Sequence, residues 1–154
     1  PDRSDIVAMK KEAIIREETA QPEGEQAAPA TFWHIELDWF PQHNRSIGAL
    51  IQPYLCAKCT RKLTAKGNTP SPEAMLAAIA SCCSRAAGFI DDQLPVMESA
   101  FRLFIASGNQ PLTLDELSRQ LSERRGSDPY RTAPEILLRL LKNDNYYGIQ
   151  EIKG

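Results

Sequence analysis

The first third of the chain changes its hydrophobic pattern at Pro41. Between residues 31 and 40, apolar residues recur at every second position: Trp33, Ile35, Leu37 and Trp39. This alternation predicts a half-buried strand that Pro41 ends. The following segment, "NRSIGALIQPYL", predicts a short helix that begins at Asn44 or Ser46 and ends near Pro53.

A longer helix is predicted to begin after Ser71. Serine is a favoured N-cap residue, and Pro72 suits the first helical position, where its missing N–H costs nothing. The run "EAMLAAIASCCSRAAG" has a high helix propensity and ends at Gly88. On this helix Cys82 and Cys83 would lie about 100° apart near the C-terminal end, so that both thiols can face inward.

The last third of the chain predicts three amphipathic helices and a strand. "PVMESAFRLFIAS" has apolar residues at helical spacing. "QPLTLDELSRQLSERRG" carries a capping box formed by Thr113 and Glu116, and Gly126 closes the helix. "RTAPEILLRLLKND" repeats the capping box with Thr132 and Glu135. The final "YYGIQEI" is aromatic and β-prone, so it predicts a terminal strand.

Three amphipathic helices with short turns, followed by a strand, make residues 96–152 resemble a winged helix-turn-helix domain. The resemblance implies a mainly α fold with a few short strands (α+β), in which a winged-helix-like unit of residues 96–154 packs on a cysteine-containing region of residues 31–95. It also implies that the third helix contacts DNA bases or, as in other winged helices, another protein. The charges around that helix nearly balance: Arg131, Arg139 and Lys142 against Glu135 and Asp144.

Charge is distributed unevenly along the chain, whose net formal charge is −2. Residues 1–40 carry four basic and nine acidic groups. The charged start followed by "TAQPEGEQAAPA" predicts an N-terminal charged segment and a disordered linker over residues 1–30. Residues 41–70 carry five basic groups and no acid. These five predict either a contact surface for the phosphate backbone of a nucleic acid or a solvated loop: Arg45, Lys58, Arg61, Lys62 and Lys66.

The basic stretch contains two cysteines at C-x-x-C spacing, and a second pair follows on the long helix. Together they offer four soft ligands for a structural zinc ion: Cys56, Cys59, Cys82 and Cys83. The chain between the two pairs is long enough to return the helix end to the C-x-x-C. The thiolates would accept backbone N–H bonds, and the neighbouring cations would stabilise their negative charge.

Other arrangements of the same residues stay open. His34 or His43 could replace one of the adjacent cysteines as the fourth ligand, and an iron–sulfur cluster uses the same number of cysteines. A redox dithiol is less favoured, because a C-x-x-C of that kind opens a helix, whereas here the helix-breaking Pro53 precedes the pair. Cys82 and Cys83 could also be small buried residues of the core.

The composition, with 42% hydrophobic and 25% charged residues, is that of a globular protein with a core. No apolar stretch approaches the roughly 20 residues that span a bilayer. Because the charged start also lacks the features of a secretory signal, we expect a cytoplasmic protein with no membrane contact and reduced cysteines. No phosphate-loop, nucleophile-elbow or zinc-protease motif occurs, so an enzyme is not expected. Two functions are predicted: a zinc-stabilised, winged-helix-like protein that binds nucleic acid in regulation, or a zinc-stabilised adaptor that docks another protein.

Overall fold

The computed structural model describes residues 30–126 and 129–152 of the chain. The chain divides into two units, Pro1–Ala30 and Thr31–Gly154, and the described residues other than Ala30 belong to the second unit. The predicted charged segment and linker of residues 1–30 lie outside the described residues except for Ala30, so they stay a prediction.

Helices make up most of the described structure, and short strands form one sheet. The helices are α1 (Trp39–Gln42), α2 (Ile47–Ile51), α3 (Ala57–Leu63), α4 (Pro72–Ser81), α5 (Val96–Ala106), α6 (Leu114–Arg125) and α7 (Pro134–Lys142). The strands are β1 (Phe32–Ile35), β2 (Leu112–Thr113) and β3 (Ile149–Glu151). Four 3-10 turns also lie in the described ranges, at Gln52–Tyr54, Ala65–Gly67, Cys83–Arg85 and Pro129–Thr132. The predicted class, mainly α with a few short strands (α+β), is confirmed.

The first strand in the chain forms the middle of the sheet. β1 pairs antiparallel with β2, where Trp33 lies opposite Leu112, and antiparallel with β3, where Ile35 lies opposite Ile149. All four of these side chains are buried, so the sheet has one apolar face. The predicted regions before and after residue 96 therefore share one sheet and one hydrophobic core.

The first predicted strand is shorter than its alternating pattern indicated. β1 ends at Ile35, the backbone N–H of Trp39 donates to the carbonyl of Glu36 at 3.0 Å, and α1 begins. Trp39 and Phe40 are both buried, whereas Leu37 is 41% exposed. Successive residues of a strand point to opposite faces, and a helical turn is what lets Trp39 and Phe40 enter the same core.

Serine side chains cap the helices on either side of the cysteine pair, as predicted. The Ser46 hydroxyl accepts the N–H of Ala49 at 3.1 Å at the start of α2. The Ser71 hydroxyl accepts the N–H of Ala74 at 3.1 Å, and Pro72 occupies the first position of α4. These caps fix where the two helices that flank the C-x-x-C segment begin.

The two predicted capping boxes have different outcomes. At the start of α6, the Thr113 hydroxyl accepts the N–H of Glu116 at 3.2 Å, and the Glu116 carboxylate accepts the N–H of Thr113 at 2.9 Å. The second box is wrong, because α7 begins at Pro134, which suits the first helical position, without a side-chain cap. Thr132 is instead fully buried, and its hydroxyl lies 3.0 Å from that of Ser122.

One hydrophobic core joins the helices and the sheet. Six of the helices contribute side chains that are fully buried: Phe40, Ile51, Ile79, Phe101, Phe104, Leu117, Leu121 and Leu137. Cys59 and Cys83 belong to the same cluster, so both cysteine-bearing segments are anchored in the core. Among the described residues, no helix combines the length and the apolar character that crossing a bilayer requires.

Candidate metal centre

Cys56 and Cys59 lie at the start of α3. The 3-10 turn that contains Pro53 ends at an extended Leu55, and Cys56 takes the N-cap conformation with φ −74° and ψ 164°. Cys59 then falls in the first turn of the helix and is buried. The expectation that this C-x-x-C does not open a helix is wrong, because the extended backbone at Leu55 separates the proline turn from the new helix.

Cys82 and Cys83 lie just after α4 rather than on it. The helix ends at Ser81, and Cys82 has φ −137° and ψ −64°, outside the helical region. A 3-10 turn, Cys83–Arg85, follows, so the longer predicted helix with both thiols on it is wrong. The break at Cys82 brings this segment to the start of α3, where the N–H of Cys56 donates to the sulfur of Cys83 at 3.1 Å.

The four cysteine sulfur atoms form one compact group. All four lie within 4.8 Å of one another, and those of Cys56 and Cys82 are 3.9 Å apart. In a tetrahedral site with Zn–S bonds of about 2.3 Å, neighbouring sulfur atoms are about 3.8 Å apart. The group therefore has nearly the dimensions of a four-thiolate metal site, with two ligands from the start of α3 and two from the end of α4.

Neither histidine that was considered as a fourth ligand joins this group. His34 lies on β1, and its Nε2 atom is 3.5 Å from Oε1 of Glu36. His43 follows α1, stacks on the Trp39 ring with centroids 4.2 Å apart, and has Nδ1 2.8 Å from the Trp39 carbonyl oxygen. Within residues 30–126 and 129–152, the soft ligands that converge are the four cysteines.

The thiols differ in acidity because their surroundings differ. Hydrogen bonds lower the pKa of Cys56 to about 6, first from the backbone N–H of Cys59 and then from the thiols of Cys83 and Cys59. Burial, followed by the hydrogen bond with Cys56, raises the pKa of Cys59 to about 12. Burial also raises the pKa of Cys83. Near neutral pH Cys56 is therefore the first of these three thiols to lose its proton, and a bound cation would favour deprotonation of Cys59 and Cys83.

The sulfur group lies at the edge of the core. Cys59 and Cys83 are buried, whereas Cys56 and Cys82 are partly exposed and leave a path by which a metal ion can enter. Four thiolates complete a tetrahedron and leave no open position for water or substrate. The donor set is therefore that of a structural site rather than a catalytic one.

Four of the five predicted phosphate-contacting residues are exposed and lie on α3 or in the turn after it. We call them the basic surface: Lys58, Arg61, Lys62 and Lys66. Arg61 and Lys62 lie in the last turn of α3, where cations interact favourably with the helix dipole. Arg45 has different surroundings, because its guanidinium carbon lies 4.1 Å from the centroid of the Tyr146 ring and Nη1 donates to the Tyr146 carbonyl at 3.0 Å.

A charged and aromatic contact beside the cysteine group was not predicted. The guanidinium carbon of Arg102, on α5, lies 4.4 Å from the centroid of the Tyr54 ring. Arg102 also donates to Glu98 at 2.7 Å and to the Phe89 carbonyl at 2.9 Å. Since Tyr54 belongs to the turn just before Cys56, this contact ties that turn to α5. Glu98 and Arg102 are four residues apart, a recognisable helical pair, but nothing local indicates Tyr54 as their partner.

Comparisons with protein-family models, curated proteins and solved structures give no match to this chain. The features that bear on function are therefore the geometry of the sulfur group and the exposed cations that follow it on α3.

Proposed function

We propose that this chain is a zinc-stabilised, winged-helix-like protein that binds nucleic acid through the basic surface of α3, in a reducing compartment such as the cytoplasm. The observation that carries the proposal is the convergence of four cysteine sulfur atoms within 4.8 Å at the start of a helix with exposed cations. The zinc part depends on the sulfur atoms, and the nucleic-acid part depends on the cations.

Zinc is the metal that suits this sulfur group best. Four cysteine ligands at tetrahedral spacing are typical of structural zinc sites. The N–H of Cys56 donates to the sulfur of Cys83 at 3.1 Å, and hydrogen bonds of this kind stabilise a thiolate ligand. An iron–sulfur cluster contains more than one iron atom, so its sulfur ligands spread farther apart than around a single ion. The short distances among the four sulfur atoms therefore favour one zinc ion over an iron–sulfur cluster.

The basic surface supports contact with phosphate groups. No acid occurs between residues 41 and 70, so neighbours in the sequence do not cancel its charge. A zinc ion at the start of α3 would fix this helix to the end of α4 and would hold the cations in constant positions. Contacts between these cations and phosphate groups provide affinity for the backbone of a nucleic acid, but they do not read its base sequence.

The order of elements over residues 96–151 supports the winged-helix-like part of the proposal. α5, β2, α6, α7 and β3 follow one another, and β2 and β3 belong to one sheet. The middle strand of that sheet is β1, so it comes from residues that precede the three helices. On α7, the third helix, Arg139 and Lys142 are exposed and would face DNA if this helix enters a groove as in the winged-helix family.

Fluorescence anisotropy with labelled duplex and single-stranded DNA, measured over a range of salt concentrations, tests the proposal. Affinity should fall steeply as the salt concentration rises. Each phosphate contact that is removed should make the slope of log affinity against log salt shallower by about 0.9. Arg61→Gln should remove one such contact. Arg119→Gln, an equally exposed arginine on α6, is the matched control and should leave the slope unchanged.

The variant Arg139→Gln tests separately whether α7 contacts the nucleic acid, because this residue is exposed on the third helix. A shallower salt dependence of binding in this variant would indicate such a contact. Zinc-loaded protein that binds neither duplex nor single strand at low salt would refute the nucleic-acid part of the proposal. Its zinc content, measured on the same sample, tests the metal part independently.

A zinc-stabilised adaptor for another protein is the second candidate. It is favoured by α7, where Ile136 and Leu140 are only partly buried and lie one turn apart on the same side. The charges around this helix also nearly cancel, with three basic residues against two acidic ones, which suits a protein partner better than a polyanion. Retention of zinc together with the absence of nucleic-acid binding would support this candidate over the first.

A further inference from the structure

A cavity of about 520 Å³ lies where the segment after α4 meets the ends of α5 and α6. None of the basic-surface residues lines it. Its apolar lining includes the buried Phe89 and Ile90 together with Ala106, and its charged lining consists of Arg85 and Arg124. A volume of this size falls in the range of about 300 to 1,000 Å³ that small ligands occupy.

Within the described residues, the two arginines form no ion pair. The described lining contains no acidic residue, although a Cβ added at the lining residue Gly88 would lie 3.9 Å from Oδ2 of Asp91. In the part of the chain that the structure describes, neither Arg85 nor Arg124 forms a side-chain hydrogen bond. Two other arginines have partners within the protein: Arg102 pairs with Glu98 at 2.7 Å, and Arg125 donates a hydrogen bond to the Leu94 carbonyl at 2.7 Å. Two like charges at one cavity repel each other, and an anion bound there would relieve this repulsion.

Both arginines lie on anchored backbone. Arg85 ends the 3-10 turn that begins at Cys83, so a metal ion on that cysteine would hold the turn in place. Arg124 lies in the last turn of α6, and the next residue, Arg125, is buried and donates to the Ser99 hydroxyl at 2.8 Å. Both side chains are exposed, so the backbone that carries them is fixed in advance, whereas the guanidinium groups become ordered when a ligand binds.

We propose that this cavity binds a phosphate group, held by Arg85 and Arg124. The guanidinium group presents parallel N–H donors that match phosphate oxygens, so two of them form a recognition site for this anion. Ala86, Ala87 and Ala106 are the lining residues that offer an apolar surface to the organic part of the ligand, since Phe89 and Ile90 are buried. The phosphate can belong to a small organic phosphate or to the backbone of a nucleic acid. This site goes beyond the proposed function, because it uses other residues than the basic surface.

Amide NMR spectra of the zinc-loaded full chain, titrated with inorganic phosphate, a nucleoside monophosphate and a single-stranded oligonucleotide, test the proposal. Phosphate should shift the amide signals of residues 85–90, and the nucleoside monophosphate should bind more tightly than phosphate. Arg85→Gln and Arg124→Gln should each weaken binding by about tenfold, the effect of losing one charge-assisted contact. Arg119→Gln, on the same helix as Arg124, is the matched control and should not change it.

The outcomes separate the two sources of phosphate and the two proposals. Binding of the nucleoside monophosphate that Arg85→Gln weakens assigns the site to a small organic phosphate. A response to the oligonucleotide alone, weakened by the same variant, assigns it to nucleic acid. No shift at residues 85–90 with any ligand, or equal weakening by Arg119→Gln, refutes the site. Dispersed amide signals in the same spectra show that the variants are folded, and Arg61→Gln tests the basic surface independently.

Discussion

On the proposal that zinc occupies the cysteine group, removal of the ion should lower the free energy of unfolding by an amount set by the link between the two cysteine pairs. The metal would join the start of α3 to the segment after α4, and Cys59 and Cys83 carry this link into the core. A strong chelator withdraws the ion without changing any side chain. The resulting change in the free energy of unfolding therefore reports the effect of the metal link directly.

The size of this change follows from the loop that the metal closes. Between Cys59 and Cys82 lie residues 60–81, and the entropy of closing a loop of about 22 residues corresponds to between about 3 and 4 kcal/mol. Mass action gives a similar figure, since free zinc at about 1,000 times its dissociation constant stabilises the folded state by about 4 kcal/mol. We therefore expect chelation to lower the free energy of unfolding by about 3 kcal/mol or more.

Urea unfolding with and without chelator, followed by circular dichroism, measures the change, and elemental analysis measures the zinc. Cys83→Ser should retain less zinc and should lose most of its sensitivity to chelator. Ser81→Ala, with an exposed side chain beside the same group, is the control. Folded protein that contains no zinc when purified without added metal would refute the reasoning, as would zinc-containing protein whose unfolding ignores the chelator. A disulfide between Cys56 and Cys59 would favour the redox dithiol instead.

Three further predictions concern stability. Thr113→Ala should cost about 1 kcal/mol in urea unfolding, because it removes a capping bond at the start of α6, and an unchanged midpoint would contradict this. Leu137→Ala should cost about 2 to 5 kcal/mol because the side chain is fully buried, whereas the partly exposed Leu140→Ala should cost clearly less; equal costs would be inconsistent with the packing. Burial, aided by the charge of Glu98, raises the pKa of Tyr147 to about 12, so the folded state holds this proton more tightly than the unfolded chain. Stability should then fall as the pH rises from about 10 toward 12. Because burial also raises the pKa of Tyr54, the tyrosinate absorbance should show a late phase from these two tyrosines rather than a single common transition.

Local patterns predicted the helices well where the residues that form a cap are close in sequence. Thr113 and Glu116 form their box because both partners lie within one turn and nothing else competes for them. Thr132 has the same spacing to an acid, but its hydroxyl contacts Ser122 on another helix, and Pro134 fixes the first helical position. The sequence motif could not show that Ser122 competes for the Thr132 hydroxyl, because this contact depends on tertiary packing.

The sequence predicted which four cysteines come together, but it did not predict the backbone geometry that places them. Four soft ligands in one chain suggest a common site, and this chemical argument does not depend on secondary structure. The break of α4 at Cys82, the helix that opens after Cys56 and the hydrogen bond to the Cys83 sulfur all arise from contacts between distant segments. Helix propensity, which predicted an unbroken helix through Cys83, contains no information about those contacts.

The central position of β1 in the sheet has a consequence for the order of folding. β1 lies near one end of the described chain, and its partner β3 lies near the other, so the sheet cannot close until nearly all of that chain has left the ribosome. The helices between them have local hydrogen bonds and can form earlier, whereas pairing across such a long segment is intrinsically slow. Until β3 arrives, β1 exposes unpaired backbone groups along one side. During synthesis this strand therefore stays unpaired on that side until late, and its free edge is open to aggregation and to chaperones.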